Sequence, residues 1–223
     1  MSDAARPVEV WDAPTRLFHW GIVFFFLVSY TSISLDWIRL HFLSGYCMLT
    51  LLLFRLAWGV IGSDSARFSS FLRPPEAGLR HLRRLLVREP DTEVGHNAAG
   101  GWMVILLLLL LGLQVGTGLF SNEDGKVFAP LAGLVGRSVS DTLAAVHGFN
   151  FNLLLGAVIL HLCAIAAYRV LKGQDLVRPM LTGRKILPAS LPAPLLRSPL
   201  LAVAAFGVAA AAVWALVTKL GVH

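Results

Sequence analysis

The stretch AVHGFNFNLLLGAVILHLCAIAAYRVLK, Ala145–Lys172, decides how the rest of the chain is read. It is almost wholly apolar and longer than the ~20 residues a helix needs to cross the hydrocarbon core of a bilayer. Yet it carries two imidazoles, His147 and His161, fourteen residues apart. An ionisable group inside a span costs a few kcal/mol and is by default a functional residue.

The surrounding chain makes this segment one of five. Among 223 residues 56% are hydrophobic and only 14% charged, and the mean hydropathy is +0.70, which excludes an ordinary soluble domain. Long apolar runs with few charges occur at Leu17–Leu35, His41–Ile61, Ala99–Phe120, Leu143–Val170 and Pro199–Leu220. The fold class expected is therefore an all-α membrane protein. The fourth run exceeds the minimum length, so it tilts or projects beyond the membrane.

Asp3, Arg6, Glu9, Asp12 and Arg16 crowd the first sixteen residues, so no cleavable signal peptide is expected and the first span serves as its own insertion signal. Cys47 and Cys163 fall inside spans, which argues for inert thiols over a disulfide framework. With the N-terminus inside, all but four of the nineteen basic residues lie on that side; Arg39, Lys126, Arg137 and Lys219 are the exceptions. That asymmetry fixes orientation, so the net charge of +6 reports topology, and no soluble module remains to carry nucleic-acid binding.

The inside loop 63–98 contains EAGLRHLRRLLVREP, where Leu79, Leu82, Leu85 and Leu86 alternate with Arg80, Arg83, Arg84 and Arg88 at helical spacing. It reads either as an amphipathic helix on anionic headgroups or as a solvated basic face that fixes topology. The outer loop SNEDGKVFAPLAGLVGRSVS is long enough to form a docking surface, and 172–197, with its prolines, reads as a linker to the last span.

Depth decides what the histidines can do. Fourteen residues of α-helix rise ~21 Å and return to within ~40° of the starting face, so His147 and His161 point the same way at two depths. They cannot share one metal ion, whose ligands converge within a few ångströms. The first span runs outward and places His19 near the inner face. The second returns, placing His41 near the outer face; the fourth also runs inward, making His147 outer and His161 inner. His41 matches His147 in depth, and His19 matches His161. Two transverse pairs are the arrangement that two bis-imidazole haems require. Gly45, Gly148 and Gly156, with Gly112, Gly116 and Gly118 on the third span, leave gaps of the kind a flat macrocycle needs, although small residues also serve plain helix packing.

Four further segments flank these histidines in order: VWDAPTRLFHW (Val10–Trp20), LLLFRLAWGVIGS (Leu51–Ser63), GHNAAGGWMV (Gly95–Val104) and LVRPMLTGRK (Leu176–Lys185). Together they resemble the prokaryotic cytochrome b561 family, which includes the b-type cytochrome subunits of nickel–iron hydrogenases. The resemblance covers about residues 8–185. It implies a four-helix transmembrane bundle holding two haems b, with iron ligands His19, His161, His41 and His147. A fifth, C-terminal transmembrane helix lies outside it, giving a division at 1–185 and 186–223. The implied function is electron transfer between the quinone pool and a redox partner: a hydrogenase, a c-type cytochrome or another haem protein. The setting implied is the bacterial inner membrane, N-terminus cytoplasmic and C-terminus periplasmic, with a homo-oligomer possible.

Further cofactor contacts follow from that resemblance. Arg55 either faces the propionates of the inner haem or snorkels to the headgroups; Arg16 and Arg39 stand near the inner and outer span ends for similar roles. His96 either exchanges a proton with a quinone or is a plain interfacial histidine, while Asn97 caps the third span. Gln114 hydrogen-bonds a neighbouring helix or a haem edge, and His81 lies at the surface. Bis-imidazole ligation leaves no open iron position, which suits electron transfer over ligand chemistry. A superoxide:quinone oxidoreductase is the nearest alternative, although four basic and four acidic outer residues form no cationic funnel. An ion transporter or a haem-free membrane anchor would explain the spans but not the paired depths.

Overall fold

Among the described residues of the computed structural model, five helices are long and apolar enough to cross a membrane. The structure describes residues 5–84, 86–88, 91–123 and 127–220; Asp3, Leu85, Lys126 and His223 lie outside them. In chain order a strand β1 (Ala5–Glu9) precedes α1 (Ala13–Ser34) and α2 (Ile38–Ile61). Two short helices follow, α3 (Phe68–Phe71) and α4 (Pro75–Arg83), then α5 (Ala98–Gly118) and a small pairing of β2 (Asn122–Glu123) with β3 (Val127–Phe128). The chain continues through α6 (Arg137–Ala167), α7 (Val177–Thr182), β4 (Arg184–Pro188) and α8 (Pro199–Ala215). Helix is the form that satisfies backbone polar groups within a single apolar segment, so each apolar run becomes one. Large apolar side chains on the outside, such as Leu109 at 67% and Val203 at 69% exposure, are what a lipid-facing surface requires.

Contacts group the chain into two compact units. The first holds residues up to Leu17 with Leu56–Leu106 and Val158–Ala202; the second holds Phe18–Arg55, Leu107–Ala157 and the chain from Val203 on.

In the first unit, Asp12 starts α1. One carboxylate oxygen accepts the Thr15 N–H at 2.8 Å, and the other accepts the Trp58 indole N–H at 3.0 Å. An N-cap at the third helical N–H and a charge-assisted bond to a fully buried indole thus meet in one side chain. The segment read as a linker is in fact built structure. β4 pairs antiparallel with β1, Ala5 opposite Pro188 and Glu9 opposite Arg184, and Val8, Val10, Trp11 and Leu187 form a buried cluster. Prolines suggested a connector, but in a two-stranded sheet every strand is an edge, where a missing N–H costs nothing if it faces outward. Gly183 closes α7 at φ +81° and its carbonyl accepts the N–H groups of Val10 and Trp11. A Cβ there would stand 2.8 Å from the Trp11 carbonyl oxygen. The approach to α8 is also bonded: the Arg197 N–H donates to Ser63 Oγ and the Leu195 N–H to Asp64 Oδ2.

The basic surface helix is shorter than its charge pattern suggests. α4 ends at Arg83, while Arg88 donates to the carbonyl oxygen of Leu171 at the far end of the α6 segment. Leu79 and Leu82 remain more than half exposed, an apolar face suited to the headgroup boundary. α6 begins six residues before its apolar run and continues through a π-helical turn, Tyr168–Lys172, to Gly173 at φ +71°.

In the second unit the turn between α1 and α2 takes only residues 35–37. Asp36 adopts φ 58° and the Trp37 N–H returns to the Ser32 carbonyl at 2.8 Å, a left-handed helix stop. Such a tight turn makes the two helices antiparallel neighbours and brings the start of α2 beside the end of α1. Met48, Leu52, Leu111, Val115 and Leu154 pack as the core between α2, α5 and α6, and Phe54 meets Phe206 of α8 at 6.1 Å between ring centres.

Candidate functional site

His41 stands in the first turn of α2, opposite the last turns of α1. Its Nδ1 lies 3.0 Å from the Ser29 carbonyl oxygen and 3.0 Å from Ser29 Oγ. A carbonyl only accepts, so Nδ1 carries the proton and Nε2 the lone pair. His147 on α6 is held the same way from α5. Its Nδ1 donates to the Gln114 carbonyl oxygen at 2.9 Å, with Thr117 Oγ1 at 3.4 Å. Gly118 permits this approach, since a Cβ at that position would lie 2.9 Å from the imidazole Cε1.

The two rings are 6.2 Å apart between centres with their planes at 84°. Two imidazoles bonded at ~2 Å on opposite sides of one metal have ring centres about 6 Å apart. Among the described residues no three His, Cys, Asp or Glu side chains gather into a metal-binding cluster. A two-imidazole pair therefore suits an iron that arrives with its own equatorial nitrogens, as in a haem. Both second-layer bonds go to main-chain carbonyls, the usual way a metal-binding histidine has its tautomer and orientation set. A Cβ on Gly45, Gly116, Gly148 or Gly156 would meet nothing within 4 Å, whereas one on Gly112 would lie 3.7 Å from the Leu52 side chain. The residues present fit a bis-imidazole haem.

His19 and His161 belong to different units. His19 lies on α1 in the second, its ring edge-on to Trp20 at 4.9 Å, and His161 lies on α6 in the first, half-buried. Arg55 is 2% exposed, its guanidinium 6.0 Å from the Phe18 ring centre. A snorkelling arginine keeps its head in water, so burial this deep disposes of that reading. Arg16 donates from one guanidinium nitrogen to the Leu181 carbonyl at 2.7 Å, and Arg39 is exposed.

Asn97 caps α5 through the Gly100 N–H at 2.8 Å and also donates to the Tyr168 hydroxyl at 3.1 Å. His96 sits between two aromatic rings, 4.6 Å from Trp11 and 4.8 Å from Phe71. His81 stacks on Tyr168 at 5.9 Å, so it is less of a bare surface residue than its basic neighbourhood suggests.

Sequence reasoning missed Ser29, Thr117 and Asn150. Asn150 is 1% exposed; its amide donates to Gln114 Oε1 at 2.8 Å and to the Leu110 carbonyl at 2.9 Å. The available signal was spacing: Asn150 follows His147 by three residues, one turn along the same face.

The prokaryotic cytochrome b561 family model matches residues 10–183. The chain belongs to the prokaryotic cytochrome b561 family. No curated relative and no solved structure matches it. Membership of the cytochrome b561 family accounts for the multi-pass membrane architecture and makes the chain a membrane b-type cytochrome of electron transfer. Within that family a b-type haem is the group His41 and His147 fit; it would supply a one-electron carrier, and the protein's part is to hold and tune it.

Proposed function

We propose that this chain is a di-haem quinone-linked cytochrome that carries electrons across the membrane to or from a redox partner protein. The observation that carries the reading is the His41–His147 pair, 6.2 Å between ring centres with each Nδ1 against a main-chain carbonyl. His41 and His147 ligate the outer haem. His19 and His161 ligate the inner one, on the same depth argument applied to α1 and α6. Two centres at two depths make a transmembrane electron path. The N-terminus is cytoplasmic and the C-terminus periplasmic, in keeping with the distribution of basic residues.

Residues 1–185 form the haem-bearing part, and 186–223 add the fifth helix. Arg55 faces the inner haem propionates, where a deeply buried guanidinium finds a carboxylate partner of matching geometry. Quinone binds on the inner side near His96, whose ring is held between Trp11 and Phe71 and exchanges the proton that accompanies the electron. A hydrogenase or a soluble haem protein is the class of partner at the other end.

Purified protein should show reducible b-type bands, two non-covalent haems per chain by pyridine haemochrome, and electron exchange with a quinone analogue in one direction or the other. One haem per chain would contradict the paired assignment. Two haems without quinone exchange would reject the quinone function and leave a haem-to-haem relay.

A further inference from the structure

The chain from Arg73 to Arg88 carries five arginines against the single acid Glu76, and none of them belongs to the haem or quinone sites. α4 runs through the middle of it. Gly78 and His81, three residues apart on one face, are where α4 meets its neighbours. A Cβ on Gly78 would lie 3.3 Å from Trp102 Cδ1, and the His81 ring stacks on Tyr168 with centres 5.9 Å apart and planes at 13°. The flanking chain is tied down too. The Trp102 indole N–H donates to the Arg73 carbonyl at 3.0 Å, and Arg88 donates to the Leu171 carbonyl at 3.2 Å. α4 is thus moored to the start of α5 and the end of the α6 segment. Those are consecutive spans, so the two ends lie at the same membrane face and α4 lies at headgroup depth.

The other two faces of α4 point away from these contacts. Leu79 and Leu82 share one, and Arg80 and Arg83 share the next, about 100° further round. The leucines are 53% and 51% exposed, with Leu86 beyond them at 77%, and both arginines are exposed. A basic face that merely fixed topology would need no apolar strip beside it. A helix lying at the membrane boundary needs both: its leucines enter the upper acyl region, while the long arginine side chains reach back to the phosphates. A guanidinium also matches phosphate oxygens in geometry as well as charge. An acidic soluble protein would satisfy the arginines and leave the leucines without a purpose.

We propose that α4 is a docking surface for anionic phospholipid on its side of the membrane, with Arg80 and Arg83 on the headgroup phosphate and Leu79 and Leu82 seated beside the acyl chains. The contact is a binding one; no bond is made or broken.

The test is native mass spectrometry of purified holoprotein in detergent, titrated with phosphatidylglycerol or with phosphatidylcholine of the same acyl chains. The unaltered protein should bind phosphatidylglycerol more tightly. Arg80→Gln and Arg83→Gln should each weaken that binding roughly fivefold, the ~1 kcal/mol that one basic residue gains at an anionic surface. Arg80→Lys and Arg83→Lys should keep most of it, and none of the four should alter the haem bands. The double variant Leu79→Gln/Leu82→Gln should weaken both lipids. Equal affinity for the two lipids in the unaltered protein would overturn the proposal without recourse to any variant. An undiminished preference for phosphatidylglycerol in Arg80→Gln/Arg83→Gln would overturn it as well. So would displacement of phosphatidylglycerol by an equal concentration of glycerol phosphate, which would make this a site for soluble phosphate, or full lipid affinity in Leu79→Gln/Leu82→Gln, which would put the helix in water.

Discussion

His41 and His147 are held from the same ring atom by two different helices: Nδ1 of one meets the Ser29 carbonyl of α1, and Nδ1 of the other meets the Gln114 carbonyl of α5. Four helices, α1, α2, α5 and α6, thus fix two imidazoles whose remaining nitrogens are both acceptors. Hydrogen bonds of this kind orient the ring and fix its tautomer, so both helices act on whatever the pair binds.

Asp12 should be a stability residue with no effect on the haem spectrum. Asp12→Ala removes the cap of α1 and leaves the buried Trp58 N–H without its acceptor, a loss of about 2–4 kcal/mol. Thermal unfolding in detergent should fall by several degrees while the absorption bands of the surviving protein stay in place. An unchanged midpoint would show that the Asp12–Trp58 bond contributes nothing.

Arg55 gives a signed redox prediction. A buried positive charge beside a haem favours the reduced form, so Arg55→Gln should lower the midpoint potential of one component. Loss of about 1.4 kcal/mol corresponds to ~60 mV for a one-electron couple. The component that moves should be the one lost in His19→Ala. A shift confined to the other component would move Arg55 away from the inner haem.

Asp175 sets an acid-sensitive step at the α7 end of the first unit. Its carboxylate accepts the Arg178 N–H, the main cause holding its pKa below the ordinary 3.8, with the Arg169 guanidinium and the Val177 N–H adding to it against a cost of burial. A depressed carboxylate stabilises the fold fully above its unfolded pKa and loses that contribution as pH falls through the folded value. The unaltered protein should therefore lose stability more steeply than Asp175→Asn below about pH 4, seen in thermal melts. Parallel curves would show that this cap is not linked to folding.

Reporter fusions test orientation. A fusion in the 63–98 loop should report the cytoplasm and one at the C-terminus the periplasm, as five spans require. Matching compartments would remove the depth argument on which the histidine pairing depends.

The five spans and the approach of His41 to His147 were legible because both rest on local pattern: apolar length gives a helix, and the order of the spans gives each histidine its depth. The β1–β4 sheet was not, since it joins Val8 to Lys185 across most of the chain, and no local rule links residues so far apart. Its prolines made the 172–197 segment look like a linker. The Asn150 role was hidden for a different reason. A carboxamide in an apolar run reads the same whether it faces a neighbouring helix or a cofactor, and only Gln114, from another helix, distinguishes the two. The deep burial of Arg55 likewise depends on which face α2 turns inward, which an apolar run does not reveal.

The most direct test is a redox titration of the four single variants His19→Ala, His41→Ala, His147→Ala and His161→Ala, scored by which component each one loses. Loss of an axial imidazole leaves the iron five-coordinate or absent. His41→Ala and His147→Ala should lose the same component, and His19→Ala and His161→Ala should both lose the other. His19→Ala and His147→Ala losing the same component, in protein that still folds, would contradict the account.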